Sequence, residues 1–414
     1  MRRVRVTRGR GRPIPLGGNY WRLWTSSGLS NLADGILKIS LPLIAIQFTQ
    51  SPTLIAGLAI AERLPWLLFA LQAGAISDRH DRRLVMLGAN VARALVLGVV
   101  AIGLAVDVGQ IWVLYIAALA LGIAETLYDT SAQSILPQVV DRTLLSRANG
   151  RLYSVELAAN EFIGPPLGGV LVAVGAALAL ATSSVVWLVA AAVLLLLAGS
   201  FRTEHDGSTT IRADIAEGMR FLAHHRVLRA MAVLTGLGNL GTSAMFAVFV
   251  LYAVGPASAM GLSEPAFGAL LASSAVGSLI GTFVAEPAER WWGRQMSLIV
   301  MLVAGGVMLA TPAFTSNPWV IATAFLVGGV TVVMGNVVMV SLRQRVTPDR
   351  LLGRVNSAYR LVAWGTMPIG ALLGGVVAAT FGLPTLFVVA ALIAASPLLF
   401  IGLLSNRAMK AAEN

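Results

Sequence analysis

Residues 176–199, AALALATSSVVWLVAAAVLLLLAG, form a run without a charged side chain. A helix rises about 1.5 Å per residue, so a run of this length can cross a hydrocarbon core of about 30 Å. Similar apolar runs recur along most of the 414 residues, and only 12% of the residues are charged. An average soluble domain has about 25%. The sequence therefore predicts an all-α protein whose main solvent is the lipid bilayer.

The apolar runs fall into two sets of six predicted transmembrane spans. Between the sets lies the polar segment 200–227, where Ile211, Ile215, Met219 and Leu222 recur at helical spacing and predict an amphipathic helix at the membrane surface. Residues 1–20 predict a basic, disordered tail, and residues 406–414 a second tail. The predicted spans are 21–48, 53–77, 84–106, 110–136, 147–174 and 176–199, then 228–254, 264–288, 296–315, 317–342, 353–380 and 382–405.

Arginine residues lie in alternate connections between these spans. The connections QSPT, VDVGQ and GPASAMGLSEP, after spans one, three and seven, contain no Lys or Arg. Basic loops face the cytoplasm in most membrane proteins. The pattern predicts an even number of spans with both termini in the cytoplasm. The arginines that follow spans two, four, eight and ten are Arg79, Arg82, Arg83, Arg142, Arg147, Arg290, Arg294, Arg343, Arg345 and Arg350.

The composition also excludes several classes of function. The formal charge is +11, but a nucleic-acid binder gathers its arginines on one face, whereas these lie in short loops. The chain has no cysteine, and three of its four histidines fall in one polar connection. No phosphate-binding loop or nucleophile constellation stands out. We therefore predict a protein that is not an enzyme and has no cofactor, metal or nucleic-acid partner.

Two stretches of the chain repeat one another. DRTLLSRANGRLYSV, residues 141–155, leads into GPPLGGVLVAVG, and PDRLLGRVNSAYRLV, residues 348–362, leads into MPIGALLGGVVAATFG. One offset relates Arg147 to Arg354 and Asn149 to Asn356, and also Gly74 to Gly281. A duplication of this kind predicts two pseudo-symmetric six-helix bundles. Chance similarity between two glycine-rich helices is the alternative.

The connection GAISDRHDRR, after span two, resembles the loop signature of the major facilitator superfamily. Asp81 stands where that signature usually has a glycine. The resulting DRxDRR form resembles the branch of enterobactin and macrolide exporters, as do WRLWTSSGLSNLADG, RLPWLLFALQAG and ILPQVVDRTLLSRANG elsewhere. The resemblance implies the major facilitator fold and a cytoplasmic latch of the outward-facing state. The predicted latch residues are Gly74, Asp78, Arg79, Asp81, Arg82, Arg83 and Asp129, the last through proximity to Arg82.

Span five contains GPPLGG, which is similar to the core of a motif of antiporters in the same superfamily. Proline bends a helix and glycine allows close packing. The match is partial because NEFI precedes it, without the upstream glycine of the full motif. The motif favours export, and its predicted bend residues are Gly164, Pro165, Pro166, Gly168 and Gly169.

Ionisable residues inside the predicted spans suggest a transport pathway or internal ion pairs. Asp34, Lys38, Glu62 and Arg63 lie at similar depths, so we expect one charge cluster in the N-terminal half. A structural ion pair is the favoured interpretation for Lys38 and Arg63. Carboxyl groups in such an environment can load and release protons. The candidates for proton coupling are Asp34, Glu161, Glu62 and Glu125.

The substrate cavity is predicted between the halves near the midplane. Candidates are the polar or aromatic residues Asn31, Arg63, Glu156, Asn160, Asn239, Asn336, Tyr359 and Trp364, with Trp24, Trp66, Tyr128, Phe246, Met245 and Met334 as further lining.

We predict a monomeric secondary transporter in a bacterial inner membrane. It exports amphipathic small molecules, such as drugs, macrolides or siderophore-like compounds, by alternating access and proton antiport. The partners are then the substrate, protons and the bilayer. Uptake of a solute by the same fold is one alternative, and a receptor or scaffold without flux is another.

Overall fold

The computed structural model describes residues 16–141, 144–202, 211–348 and 351–413. The helices of its N-terminal half are α1 (Gly18–Phe48), α2 (Pro52–Arg79), α3 (Arg82–Ala105), α4 (Ile111–Val139), α5 (Leu145–Leu157), α6 (Gly164–Val174) and α7 (Ala176–Leu195). One π-helical turn, Ala158–Ile163, joins α5 to α6. The first fifteen residues of the predicted N-terminal tail lie outside the described part.

The C-terminal half is built in the same way. Its helices are α8 (Ile211–His224), α9 (Arg226–Phe246), α10 (Phe249–Ala253), α11 (Glu264–Phe314), α12 (Pro318–Val346), α13 (Leu352–Phe381), α14 (Leu383–Ala395) and α15 (Asn406–Glu413), with the 3₁₀ segment Ser396–Leu404 after α14. The elements of the described ranges are all helical, and this confirms the prediction of an all-α membrane protein.

The number of membrane-crossing helices is consistent with the predicted twelve. Ten helical segments of the described part are long and apolar enough to cross a bilayer. The segment α11 contains two spans, because Gly293 adopts a left-handed φ of 78° in its middle and breaks the helix there. The segment α9–α10 is interrupted at Ala247 and Val248, and is not among the ten.

Two short helices outside the spans attach to the C-terminal half. Helix α8 lies in the predicted linker, where Glu217 forms an ion pair with Arg354 of α13. Helix α15 covers the predicted C-terminal tail and buries Met409 completely. Its Glu413 accepts from Arg294 at 2.7 Å, which ties the last helix to the connection inside α11.

We call the end of the bundle that carries Gly18, Arg79 and Glu413 the terminal face, and the opposite end the distal face. The two halves contact one another closely at the distal face, where glycines meet backbone. A Cβ atom at Gly169 would lie 2.3 Å from the carbonyl oxygen of Glu264, and one at Gly268 would lie 2.5 Å from that of Pro165. These contacts exclude any larger side chain at either glycine.

Hydrogen bonds and ion pairs between described side chains do not join the halves. Among the side chains that the structure describes, every hydrogen bond and every ion pair within 4 Å stays inside one half. The halves therefore meet through backbone packing, apolar groups, rings and the contact of the Arg360 guanidinium with the Trp66 ring.

The GPPLGG stretch packs span five against α1. Pro165 and Pro166 lack a backbone N–H, so the regular ladder of hydrogen bonds cannot continue, and the π-helical turn ends at this point. A Cβ atom at Gly164 would lie 2.6 Å from the Cα atom of Gly35, and one at Gly168 would lie 2.6 Å from the carbonyl oxygen of Ile36.

Replacing Gly164 by valine should destabilise the protein, because its side chain would overlap the backbone of α1. Forced overpacking costs about 1–3 kcal/mol. The measurement is thermal unfolding of purified protein in detergent. Gly88→Val is the matched control, since nothing lies within 4 Å of a Cβ atom at Gly88. Equal unfolding temperatures for the two variants would contradict the close contact between α1 and α6.

Candidate functional site

The guanidinium group of Arg93 is buried in the interior of the N-terminal half. Its Nη1 donates to Asp34 Oδ1 at 2.9 Å. Its Nη2 donates to Asn90 Oδ1 at 2.5 Å and to Ser30 Oγ at 3.0 Å. Arg93 is 1% exposed and Asp34 is 18% exposed, so this ion pair is largely shielded from solvent and lipid.

Two aromatic rings enclose the same guanidinium. The Cζ atom of Arg93 lies 4.8 Å from the ring centre of Tyr128 and 4.9 Å from that of Trp187. Cation–π contact of this kind strengthens when the cation is desolvated. Together with Asp34, these residues bring α1, α3, α4 and α7 to one point. The sequence prediction missed Arg93, although an arginine inside the predicted span 84–106 is the signal that could have identified it.

A second ion pair lies between α1 and the π-helical turn. Lys38 Nζ contacts Glu161 Oε1 at 2.7 Å and Oε2 at 2.8 Å. Both side chains are about two-fifths exposed, at 40% and 39%, because they face a cavity. Of the four charges expected to form one cluster, Lys38, Glu62 and Arg63 line one cavity, and Lys38 pairs with Glu161. Asp34 pairs instead with Arg93.

The cavity, which we call the central cavity, has a volume of about 350 Å³ and lies between the halves. Its N-terminal wall carries Glu62 and Arg63 as well as the Lys38–Glu161 pair. The opposite wall is mainly apolar and aromatic, as is usual for sites that bind small molecules. Its residues include Ser243, Phe246, Phe249, Phe267, Ser274 and Met367.

Three more predicted cavity residues form a polar chain between α1 and span five. Ser27 Oγ donates to Glu156 Oε1 at 2.6 Å, and Asn31 Nδ2 donates to the Ser27 carbonyl at 3.0 Å. Asn160 Nδ2 donates to Asn31 Oδ1 at 3.4 Å. These contacts link the charged interior of the half to the π-helical turn.

Glu125 and Asp129 lie one turn apart on α4 and are partly buried. Neither forms a hydrogen bond or an ion pair with the residues in the described ranges. They are therefore two acidic groups near the Asp34–Arg93 pair that have no hydrogen-bond or ion-pair partner among the described residues.

The polar residues of the C-terminal half are largely engaged within that half. Asn239 Nδ2 donates to the Ala363 carbonyl at 2.7 Å. The hydroxyl of Tyr359 lies 2.5 Å from Thr235 Oγ1, and Arg343 stacks on the Tyr359 ring at 4.1 Å. A further cavity of about 370 Å³ in this half is lined by Asn239, Asn336 and Trp364.

The connection GAISDRHDRR is held by bonds inside the N-terminal half. Asp81 caps α3 by accepting from the Arg83 backbone N–H at 2.9 Å, and its other oxygen accepts from the Phe201 N–H at 3.0 Å. Arg83 Nη1 donates to the Leu197 carbonyl at 2.5 Å. Asp81 therefore has a structural use that a glycine could not supply. A Cβ atom at Gly74 would meet nothing within 4 Å.

The remaining residues of the predicted latch lie near the same connection or further into the bundle. Arg82 Nη1 donates to the Ser134 carbonyl at 2.7 Å, at the end of α4. Arg79 is exposed, and the side chain of Asp78 lies outside the described part. Asp129 is five residues before Ser134, and no ion pair within 4 Å joins its described atoms to Arg82. Within the described ranges, no three metal-ligating side chains come together.

Residues 14–413 match the model of the family described as transmembrane secretion effector, a major facilitator family. The chain belongs to this family. The match covers nearly the whole sequence and confirms the resemblance to the major facilitator superfamily. Members of this superfamily are secondary transporters, so the protein is a multi-pass membrane transporter and not an enzyme.

Several related sequences are exporters by name. The multidrug efflux pump Tap of Mycolicibacterium fortuitum is 26% identical over 395 residues, which cover 90% of this chain and 91% of that protein. The enterobactin exporter EntS of Salmonella typhi is 28% identical over 365 residues, which cover 84% of this chain and 83% of that protein. Macrolide efflux protein A of Streptococcus pyogenes is 23% identical over 376 residues, which cover 88% of this chain and 90% of that protein. These relatives support the prediction of an exporting transporter.

Solved structures agree on the fold. The nucleoside transporter NupG superposes with a TM-score of 0.74 at 11% identity, covering 93% of this chain and 99% of that one. A bacterial homologue of ferroportin in an inward-facing state gives a TM-score of 0.69 at 20% identity, covering 92% and 98%. At such identities the likeness concerns the fold alone.

Replacing Arg93 by methionine should destabilise the protein strongly, because the Asp34 carboxylate would lose its buried partner. Breaking such a pair costs about 3–5 kcal/mol. The measurement is again thermal unfolding in detergent. The double variant Arg93→Met with Asp34→Asn should recover part of the loss, because it leaves no unpaired charge. A double variant no more stable than Arg93→Met would contradict this role of the pair.

Proposed function

We propose that this protein exports amphipathic small molecules from the bacterial cytoplasm by alternating access, coupled to the entry of protons. The buried Asp34–Arg93 pair is the observation that carries the proposal. A carboxylate that depends on one internal cation inside a transport protein is a natural place for a proton to bind. Proton binding at Asp34 would cancel its charge and weaken the bond between α1 and α3.

The Lys38–Glu161 pair supports a second point of coupling. It lies in the wall of the central cavity, where a proton or a substrate can reach it. Glu161 stands in the π-helical turn, directly before the Gly164–Pro165 bend. Such turns often occur at functional sites. A change of charge at Glu161 would therefore act at the joint between α5 and α6.

The contacts between the halves support alternating access. The glycine contacts at Gly169 and Gly268 close the distal face. Since polar bonds between described side chains stay inside each half, the halves can rock without breaking ion pairs. Domain motions of this type move rigid bodies around a fixed site. In this proposal the protein acts as a monomer and each half moves as one body.

The names of the relatives support export and the range of substrates. They are described as transporters of multiple drugs, macrolides and enterobactin. The aromatic and apolar wall of the central cavity, with Phe246 and Met367, fits amphipathic molecules of this kind.

The arginine-rich terminal face lies in the cytoplasm in this proposal. The chain contains no cysteine, so single cysteines can report orientation. We expect a membrane-impermeant maleimide to label Gln50→Cys, on the distal face, in intact cells. Lys410→Cys should react only after the cells are permeabilised. The reverse pattern of labelling would overturn this orientation.

Asp34→Asn should abolish protonophore-sensitive export of every solute, whereas Glu161→Gln should reduce the export of solutes without a negative charge at least tenfold. The measurement is efflux of a panel of lipophilic dyes and siderophores from energised cells, with and without a protonophore. Glu286→Gln is the control, because this carboxylate is 72% exposed and pairs only with exposed Arg290 among the described residues.

The possible results test proton coupling and the direction of transport independently. Export that is unaffected by the protonophore and by both substitutions would rule out proton coupling. Accumulation of the solutes inside cells that make the wild-type protein would instead indicate uptake.

A further inference from the structure

A second gap between the halves, which we call the arginine–tryptophan cavity, lies on the terminal side of the central cavity. It has a volume of about 380 Å³ and is lined from α2, α4 and α13. Its charged lining residues are Arg63 and Arg360, and its largest rings are Trp66 and Trp364. The remaining polar lining is uncharged, with Thr130, Gln133, Ser134 and Ser357.

The rings and Arg360 form one cluster across the halves. The ring centres of Trp66, from the N-terminal half, and Trp364, from the C-terminal half, lie 5.1 Å apart in an edge-to-face arrangement. The Cζ atom of Arg360 lies 4.4 Å from the Trp364 ring and 5.3 Å from the Trp66 ring. The two rings thus contact the flat faces of the guanidinium group and position it at the wall of the cavity.

The N–H donors of both arginines have no acceptor among the residues that the structure describes. Neither Arg63 nor Arg360 forms a hydrogen bond or an ion pair within 4 Å with the part of the chain that the structure describes. A guanidinium group has five N–H donors, and its edge stays free when its face is stacked. A cation at this depth of a membrane protein is costly unless a partner binds it.

Two acidic residues attract these arginines electrostatically, Glu62 acting on Arg63 and Asp129 on Arg360, but neither acid contacts its arginine within 4 Å. Glu62 lines the central cavity and not this one. Asp129 precedes the lining residue Thr130, yet it does not line the cavity and makes no ion pair with either arginine. Since both acids lie outside the lining, the cavity surface itself presents positive charge and aromatic rings together.

We propose that the arginine–tryptophan cavity binds aromatic anions, in which a carboxylate, phenolate or sulfonate is attached to a ring system. The anionic group would accept paired hydrogen bonds from Arg360, a geometry that guanidinium favours. The ring would stack against Trp66 and Trp364. The same arginines repel lipophilic cations, so the site selects by charge. Binding at this site does not depend on the proposed transport function. Only the statement that the bound molecule is transported rests on that function.

Arg63 connects this site to the central cavity. It is exposed and lines both cavities, as does Met367. A bound anion can therefore pass from Arg360 to Arg63 while remaining beside a guanidinium group. The arginine–tryptophan cavity is then the entry subsite on the terminal face.

Two xanthene dyes of opposite charge test the proposal: fluorescein, an anion, and rhodamine 123, a cation. Full-length protein in phosphatidylcholine nanodiscs is titrated with each dye, and binding is measured by fluorescence anisotropy. We expect fluorescein to bind at least tenfold more tightly than rhodamine 123. Arg360→Gln should weaken fluorescein binding at least tenfold, whereas Arg290→Gln should leave it unchanged. Arg290 is the matched control because it is 74% exposed in an i,i+4 surface pair.

A second variant keeps the test valid if Arg360→Gln fails to fold. Arg63→Gln should also weaken fluorescein binding, and Arg360→Lys should weaken it less than Arg360→Gln because the charge remains. Fluorescein binding that is equal in wild type and both Gln variants, or a preference for rhodamine 123, would overturn the proposal.

The lipid content of the nanodiscs separates a soluble anion from a lipid headgroup. If phosphatidylglycerol abolishes fluorescein binding, the site belongs to anionic lipid and the assignment to cargo is wrong. If binding persists, the assignment stands. The titration uses no proton gradient, so its result is independent of whether export proves to be proton-driven.

Discussion

The charge of Arg93 is the constraint on which the N-terminal half depends. A guanidinium group cannot be neutralised by losing a proton under biological conditions, so its charge must be satisfied inside the bundle. Asp34, Ser30 and Asn90 accept its hydrogen bonds, and Tyr128 and Trp187 cover it. Four helices that are distant in sequence are thereby held in one arrangement. Apolar packing alone would not fix that arrangement, because lipid is as apolar as the helix surfaces.

The contacts between the halves have the opposite character. Within each half, ions and hydrogen bonds join the helices, as in the bonds of Glu413 to Arg294 and of Asp81 to Phe201. Between the halves, Gly169 and Gly268 allow backbone to meet backbone, and the rings of Trp66 and Trp364 touch. Apolar and aromatic contacts can be exchanged for similar ones at small cost, whereas a broken buried ion pair is expensive. Rigid halves joined by a weakly polar interface suit alternation between two states.

The sequence was sufficient to predict an all-α membrane fold, because apolar runs are local signals. The sequence was less informative about which side chains form ion pairs and hydrogen bonds with one another. Asp34 and Lys38 lie one turn apart on α1, which suggests that they belong to one charge cluster. Their ion-pair partners, Arg93 and Glu161, are however 59 and 123 residues away in sequence. Which helices face each other at a given depth is a property of the bundle and not of any one helix. The use of Asp81 to bind Phe201 could not be foreseen for the same reason.

The positions of the two carboxylates give them different capacities for coupling. Asp34 lines neither the central nor the arginine–tryptophan cavity, so a proton on Asp34 acts on a substrate only by moving α1. Glu161 lines the central cavity, and its protonation would leave Lys38 unpaired beside the substrate. For an anionic substrate this would favour binding of proton and substrate together, which opposes antiport. For an aromatic anion the coupling step of antiport therefore falls to Asp34, and the second coupling point at Glu161 serves substrates without a negative charge. Helix α1 transmits the change at Asp34 because Lys38 lies one helical turn further along the same helix.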